Sequence, residues 1–222
     1  MKQTFAVIGL GRFGLSVCQS LIEEEQEVLA IDNDEELVTS YKDLVTQAVI
    51  ADAQDEDAMR DLDLGNFDHV VIALGQNIQA SVLATLIVKE LGAKHIVAKA
   101  ETTMHGRALE KIGADSIVFP ERDMGQRVAH RLISHNILNY LALSDTYTLA
   151  EIRVANDKFN GKTLAELNFH DQFGLMLVAI ARNNDVQVSP PATAIIQEGD
   201  TLSVIGKTVD VDRLDEATSD RI

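Results

Sequence analysis

Three glycines that follow an apolar run constrain this chain more than any other feature of its sequence. Residues 9–14 read Gly-Leu-Gly-Arg-Phe-Gly, directly after the apolar run Phe5–Ile8 and before a segment of helical character. In this context Gly9 permits a tight turn, Gly11 lets backbone amides approach a pyrophosphate, and Gly14 lets the helix pack closely on the sheet. The motif therefore predicts a strand, a turn and a helix that bind the phosphates of a nucleotide.

Short β-branched runs alternate with helix-like segments up to about residue 120, which predicts a parallel sheet with helices on both faces. The predicted strands are Thr4–Ile8, Val28–Asp32, Ala48–Ala51, His69–Ala73, His95–Lys99 and Ser116–Phe119. The predicted crossover helices are Arg12–Glu25, Asp34–Lys42, Asp55–Leu62, Ile78–Leu91 and Met104–Ile112. Six strands in two halves make a Rossmann-like, doubly wound α/β fold, whose ligand binds outside the carboxyl ends of the strands.

The pattern changes after Pro120. Asp123–Leu141 has apolar residues at three- and four-residue spacing, which predicts one long helix that either packs on a second subunit or lies on its own domain. From Thr146 onward we expect a small α+β unit, in which Thr163 and Glu166 form the capping box of a short helix. The remaining elements predicted there are the strands Leu149–Val154, Leu175–Ala181, Val186–Val188 and Thr201–Ile205 and the helix Val209–Ala217. We divide the chain into a nucleotide-binding domain (1–122), a crossover-helix linker (123–144) and a C-terminal domain (145–222).

The charge balance narrows the class of partner. The chain has 19 Lys and Arg residues against 35 Asp and Glu residues, a formal charge of −16 at neutral pH. A surface of this charge repels phosphate backbones, so we expect no nucleic-acid partner. Cys18 is the single cysteine, which excludes an internal disulfide and fits a reducing compartment.

One segment tests whether the chain crosses a membrane. Val70–Val88 carries no formal charge over 19 residues, about the length that spans a bilayer. Polar and turn-forming residues interrupt it at Gly75, Gln76 and Asn77, so we expect a buried strand followed by an apolar-faced helix. The start of the chain shows no signal-peptide pattern.

Two side chains near the predicted turn would select the ligand. Asp32 ends the second predicted strand, 18 residues after Gly14. A carboxylate there accepts hydrogen bonds from both ribose hydroxyls and repels a 2′-phosphate, which favours NAD(H), ATP or ADP over NADP. Arg12 either binds a terminal phosphate with two hydrogen bonds or is a solvated surface residue.

Other residues at the strand ends are ligand contacts or loop residues placed there by the fold alone. Asp52 closes the third strand, where it could reach an adenine amino group, and Leu74–Gln76 follow the fourth. Lys99 and Glu101 flank the end of the fifth strand, and Glu121 follows the sixth.

The sequence contains no recognisable catalytic motif. The six histidines show no pair at zinc-site spacing, and neither a nucleophile elbow nor a P-loop occurs. We expect no catalytic residue, although His105 or Lys99 could serve a small NAD-dependent oxidoreductase as general acid. A structural dimerisation module with a vestigial nucleotide site is a further alternative.

Four motifs in order along the chain resemble the RCK family, the cytosolic regulatory subunits of Ktr and Trk potassium uptake systems. The resemblance covers essentially the whole chain, and its motifs are Phe5–Gly14, Asn77–Ser81, Lys111–Asp115 and Pro120–Gly125. It implies homodimers that form an octameric ring in the cytoplasm, beneath a membrane-embedded K⁺-translocating subunit. It also implies that ATP and ADP compete for the N-terminal site and change the shape of the ring, with NAD(H) as an alternative ligand.

The resemblance also assigns site residues by motif position. Arg12 would meet the phosphates, Asp32–Asp34 the ribose and Asp52–Ala53 the adenine, and Glu121 would lie near Mg²⁺ or another cation bound with ATP. The full set of implied ligand contacts is Gly9, Gly11, Arg12, Phe13, Gly14, Asp32, Asn33, Asp34, Asp52, Ala53, Leu74, Gly75, Gln76, Lys99, Ala100, Glu101, His105 and Glu121.

A second ligand is implied for the C-terminal domain. Some relatives bind cyclic di-AMP between paired C-terminal domains, and the corresponding residues here are Phe169, His170, Phe173 and Pro191. His170 stands where relatives that resemble this chain often carry Arg, so a titrating ring replaces a permanently charged group. Binding of cyclic di-AMP is therefore left open.

Overall fold

A computed structural model of the protein describes residues 2–75, 77–134, 136–144, 146–183 and 185–219. The chain separates into two compact units, Met1–Arg122 and Asp123–Ile222. Among the described residues, no helix combines the length and the apolar character needed to cross a bilayer. Most of the uncharged segment Val70–Val88 instead lies in a strand and a helix of the first unit, as predicted.

The first unit contains a six-stranded sheet in which every neighbouring pair of strands is parallel. Its order is β3-β2-β1-β4-β5-β6, which confirms the predicted doubly wound arrangement. The elements in chain order are β1 (Thr4–Ile8), α1 (Arg12–Glu23), β2 (Glu27–Asp32), α2 (Glu35–Tyr41), β3 (Gln47–Ile50), α3 (Glu56–Asp61), β4 (His69–Ile72), α4 (Ile78–Glu90), β5 (Ile96–Lys99), α5 (Thr103–Ile112), β6 (Ser116–Val118) and α6 (Pro120–Ile133), which begins in this unit.

The central strand β1 contributes to a hydrophobic core on each face of the sheet. Ala6 and Ile8 belong to one core, while Val7 belongs to the other, and all three side chains are buried. This follows from the alternation of side chains along a strand that is covered on both sides. In register, Val7 lies between Ala30 of β2 and Val71 of β4.

Side-chain caps start most of the crossover helices. Asp34, Asp55, Asn77 and Thr102 each accept hydrogen bonds from amides in the first turn of α2, α3, α4 and α5 respectively. The start of α1 is different, because Gly11 precedes it and provides no side-chain cap.

The second unit contains a five-stranded antiparallel sheet in the order β10-β9-β11-β8-β7. Its helix α7 starts with the predicted capping box of Thr163 and Glu166. The elements of this unit after α6 are β7 (Ile137–Ala142), β8 (Tyr147–Arg153), α7 (Leu164–Leu167), α8 (Phe169–Phe173), β9 (Met176–Arg182), β10 (Asp185–Val188), β11 (Thr201–Lys207) and α9 (Thr208–Thr218).

The prediction of one long helix over Asp123–Leu141 is wrong beyond Ile133. Residues 137–142 form β7, an edge strand that pairs with β8, so they belong to the C-terminal sheet and not to a helical linker. An irregularity in the strand pairing between Ile137 and Asn139 puts both Ile137 and Tyr140 against the core. The apolar residues Ile137, Leu138 and Leu141 continue the three- and four-residue spacing of α6, which led to the wrong prediction, but in β7 Ile137 is buried while Leu138 and Leu141 are exposed.

Candidate nucleotide-binding site

Two cavities that share lining residues lie at the carboxyl ends of the strands of the first unit, and we call them together the cleft. The larger has a volume of about 540 Å³ and the smaller about 140 Å³. The larger is lined by Gly9, Gly11, Arg12, Phe13, Asp32, Leu37, Ala73, Leu74, Gly75, Asn77, Lys99 and Glu121. The smaller is lined by Ile8, Gly9, Ile31, Asp32, Asn33, Ala51, Asp52, Ala53, Gln54, Leu74, Asn77 and Ala80.

The glycine turn forms the floor of the cleft. Gly9 has a φ of +99°, and its amide donates to the Ile31 carbonyl at 2.8 Å. Gly14 packs directly on the turn, because a Cβ atom there would overlap the carbonyl oxygen of Gly9. Since Gly11 offers no side chain, the amides in the first turn of α1 have no side-chain cap and are available to an anion.

Asp32 supports the glycine turn from the end of β2. Its Oδ2 accepts from the Leu10 amide at 2.6 Å, and its Oδ1 accepts from the Asp34 amide at 2.9 Å. An ionised carboxylate has about four acceptor positions, so two remain for ribose hydroxyls. The bond to Leu10 was not predicted from sequence, because it joins residues that meet only when β1 and β2 pair.

Asp34 serves α2 and does not line the cleft. Its Oδ1 accepts from the amides of Glu36 at 2.9 Å and Leu37 at 3.2 Å, which caps the helix. The side chain is thereby committed to helix capping, and only its neighbours Asp32 and Asn33 line the cleft.

The smaller cavity combines apolar and acidic groups. Ile8, Ile31 and Ala80 supply apolar surface, while Asp52 accepts from the Gln54 amide at 2.9 Å at the opening. A flat apolar ring with an exocyclic amino donor fits this combination of groups.

Lys99 forms an ion pair with Glu121 at the end of β5. Its Nζ donates to Glu121 Oε1 at 2.6 Å and lies 3.4 Å from Glu101 Oε1, with 9% of the side chain exposed. Burial acts to lower the pKa of Lys99, but the hydrogen bonds and charges of Glu121 and Glu101 outweigh it and raise the pKa. The hydrogen bond from Lys99 lowers the pKa of Glu121. Both groups are therefore ionised at neutral pH.

His105 lies behind the cleft, in the first turn of α5. It is 4% exposed, and its Nδ1 accepts from the Glu101 amide at 3.3 Å. Its Nε2 has no hydrogen-bond partner among the described residues, and burial lowers the pKa of the ring. His105 is therefore neutral at physiological pH, and its hydrogen bond joins it to Glu101, whose carboxylate lies 3.4 Å from Lys99.

Some predicted site residues thus lie outside the cleft lining. Gly14, Asp34, Ala100, Glu101 and His105 do not line either cavity, and Gln76 lies outside the described residues. The lining residues that sequence reasoning missed are Ile8, Ile31, Leu37, Ala51, Gln54, Ala73, Asn77 and Ala80. The sequence did contain a signal for Asn77, which is a polar residue between the apolar strand β4 and the helix α4. In the structure its Oδ1 caps α4 by accepting from the Ala80 amide at 3.0 Å.

The cation predicted at Glu121 does not find a complete set of protein ligands. Within the described ranges, no group of three His, Cys, Asp or Glu side chains could hold a metal ion. Glu121 is instead paired with Lys99.

The residues predicted for a second ligand lie in the second unit. Phe169 is buried in the core, where its ring lies 6.1 Å from that of Phe173. His170 and Pro191 are exposed. Phe169 therefore has a structural role that does not depend on a ligand.

Comparisons with known proteins agree with this architecture. Residues 5–120 match the TrkA-N domain and residues 149–218 the TrkA-C domain. Over 97% of both chains, the protein is 50% identical to Ktr system potassium uptake protein C of Bacillus subtilis (strain 168). It is 44% identical to Ktr system potassium uptake protein A of that organism, over 96% of both chains.

A solved structure shows the same fold. The GsuK channel bound to NAD matches all of this chain with a TM-score of 0.69 at 16% identity, and this chain spans 40% of that chain. The two matched domains and the extent of identity to the Ktr proteins together establish that the chain belongs to the family of RCK-domain regulators of potassium uptake.

Proposed function

We propose that the protein is the nucleotide-sensing regulatory subunit of a potassium uptake system. The observation that carries this proposal is the cleft, which places the uncapped start of α1 beside Arg12 and Lys99. Positive charge and backbone amides converge there on a volume open to a ligand. The relatives are named as Ktr potassium uptake proteins, which supports the assignment to K⁺ uptake.

The cleft orients an adenine nucleotide along its length. Phosphates fit the turn at Gly9 and Gly11, a ribose fits Asp32, and an adenine fits the smaller cavity beside Asp52 and Ala53. The carboxylate of Asp32 disfavours a 2′-phosphate, so ATP, ADP and NAD(H) are the ligands we propose. Solved structures of the GsuK channel with NAD and with ADP support this class.

Gating would follow from a difference in affinity between two shapes of the assembly. ATP and ADP differ by one phosphoryl group, so only residues that reach the terminal phosphate can favour one shape. Arg12 and Glu121, at the wide end of the cleft, are the candidates. Moving an equilibrium from 1:99 to 99:1 takes a difference in affinity of about 10⁴-fold, which several coupled sites supply more easily than one.

The proposed assembly is a homodimer that forms an octameric ring at the cytoplasmic side of a membrane-embedded K⁺-translocating subunit. Large apolar side chains of the second unit are exposed in the single chain, which supports a partner surface. They include Val128, Leu132 and Ile133 on α6 and Leu138 and Leu141 on β7.

We propose that the protein is not an enzyme. Lys99 is held as a cation by two carboxylates, and a raised pKa makes it a weak proton donor at neutral pH. His105 lines neither cavity of the cleft and is buried. Hydride transfer from NADH to a carbonyl substrate, lost on His105→Gln, would favour the oxidoreductase alternative instead.

Thermal denaturation with a panel of ligands tests the proposal. ADP, ATP and NADH should each raise the melting temperature, since a ligand that binds only the folded state stabilises it. Adenosine should have a smaller effect because it lacks phosphates, and Gly11→Asp should abolish the shift with ADP. Absence of a shift with every adenine nucleotide would overturn the proposal and favour a vestigial site. Cyclic di-AMP belongs in the same panel, because its binding near His170 stays a prediction.

A further inference from the structure

Lys99 lines the cleft and pairs with the carboxylates of Glu121 and Glu101. We propose that it is a positioning residue: when a nucleotide binds, its ammonium releases Glu121 and pairs instead with an anionic oxygen of the nucleotide. The proposal rests on the proposed nucleotide site. In addition, the release of Glu121, the second residue of α6, would report that a phosphate is bound. A bound nucleotide would thereby break the ion pair that joins Lys99 to the start of α6.

The ammonium of Lys99 is paired with two carboxylates, so these three side chains together carry a net charge of −1. The Lys99 side chain is 9% exposed, and a buried ammonium requires paired charge. Glu121 at 2.6 Å and Glu101 at 3.4 Å supply it. Lys99 and Glu121 line the same cavity as Gly9, Gly11 and Arg12. A phosphate bound at the glycine turn would therefore lie in the cavity that Lys99 and Glu121 line.

The two carboxylates differ in how firmly they are held. Gly75 packs against Glu101 Oε1 and the Lys99 stem so closely that a Cβ atom there would overlap the carboxylate oxygen. The side chains of Lys99 and Glu101 therefore both pack on Gly75, and the Glu101 side chain is 35% exposed. The Glu121 side chain is 66% exposed, so water hydrates it readily once it is released. Glu121 is the partner that a ligand displaces at lower cost.

A phosphate oxygen competes with Glu121 because both are anions directed at one ammonium. Each weakens the hold of the other, since like charges that share a site repel. A ligand without phosphate brings no such competitor and leaves the pair intact. The exchange thus distinguishes a nucleotide from its nucleoside at a residue of α6.

Isothermal titration with ADP and with adenosine in EDTA tests the exchange. Glu121→Gln should tighten ADP binding by about threefold to tenfold and leave adenosine binding unchanged. The matched control Glu110→Gln removes the same charge from the exposed surface of α5 and should leave ADP binding unchanged. In a Lys99→Met background, Glu121→Gln should no longer tighten ADP binding, because the shared cation is gone.

Amide hydrogen exchange gives a second readout on the unmodified protein. Exchange at residues 121–124 should become faster with ADP than with adenosine, and this difference should vanish in Lys99→Met. The proposal is overturned if the wild-type protein binds ADP and Glu121→Gln leaves the affinity for ADP unchanged or lowers it. It is also overturned if Glu121→Gln raises the affinity for adenosine as much as the affinity for ADP. Failure of wild type to bind ADP at all overturns the proposed function together with it.

Discussion

Some residues that we propose as ligand contacts also stabilise the fold around the cleft. Asp32 supports the glycine turn through the Leu10 amide, and Gly75 makes room for Glu101 and Lys99. Substitutions at such positions change the shape of the cleft together with its chemistry. Arg12 is different, because its side chain is exposed and it is needed for no contact within the fold that the structure describes. It is therefore the residue at which ligand recognition can be measured alone.

We expect Arg12→Ala to lower the affinity for ATP about tenfold and the affinity for ADP less. The reason is that a guanidinium contributes a charge-assisted hydrogen bond to whichever phosphate it reaches, and the terminal phosphate is absent from ADP. Calorimetric titration of both nucleotides measures the two affinities.

The control for Arg12→Ala is Arg60→Ala, which removes an exposed arginine that pairs with Asp57 on α3. It should leave both affinities unchanged. An equal loss for ATP and ADP in Arg12→Ala would contradict a role at the terminal phosphate.

At the scale of elements, sequence reasoning succeeded where local chemistry and tertiary packing agree. Glycines placed the turn before α1, apolar runs placed the strands of the first unit, and Thr163 with Glu166 placed α7. It failed at β7, where Ile137, Leu138 and Leu141 have helix-like spacing in the sequence but form an edge strand paired with β8. In the cleft, the hydrogen bond from Leu10 to Asp32 and the close packing of Gly75 on Glu101 join residues distant in sequence and could not be predicted.

The capping box of α7 yields a prediction at the same scale. Thr163→Ala should lower the free energy of unfolding by about 1 kcal/mol, because the Glu166 amide loses its acceptor. Differential scanning calorimetry should show a melting temperature lower by about 2–4 °C. Thr39→Ala, at an exposed position inside α2, should not lower it.

Acidification should remove part of the same stabilisation. The hydrogen bond from the Thr163 amide lowers the pKa of Glu166 below its ordinary value of 4.5. The contribution is therefore complete above pH 4.5 and is lost as the pH falls through the lower pKa of the folded state. A difference between wild type and Glu166→Gln that grows on acidification would contradict this assignment.

The whole molecule presents exposed apolar side chains that a single chain does not cover. Leu132 and Ile133, near the end of α6, are among the most exposed of them. If they form part of the proposed assembly, a charge placed there should be buried without a partner and should oppose association. The surface is thus the place where the oligomeric state can be changed without touching the cleft.

Leu132→Glu should therefore reduce the mass of the particle measured by light scattering after size-exclusion chromatography. Val209→Glu is the matched control, since Val209 is also an exposed apolar residue but lies on α9. The control should keep the mass of wild type. An unchanged mass in Leu132→Glu would place the interface elsewhere.

The position of β1 between two hydrophobic cores has a consequence for signalling. A strand packed on both faces cannot shift without disturbing both cores, so we expect the glycine turn at its end to keep its position. The sixth strand has a neighbour on only one side, with three residue pairs to β5, and it leads directly into Glu121. Movement driven by the ligand should begin at this margin of the sheet, while the centre stays still.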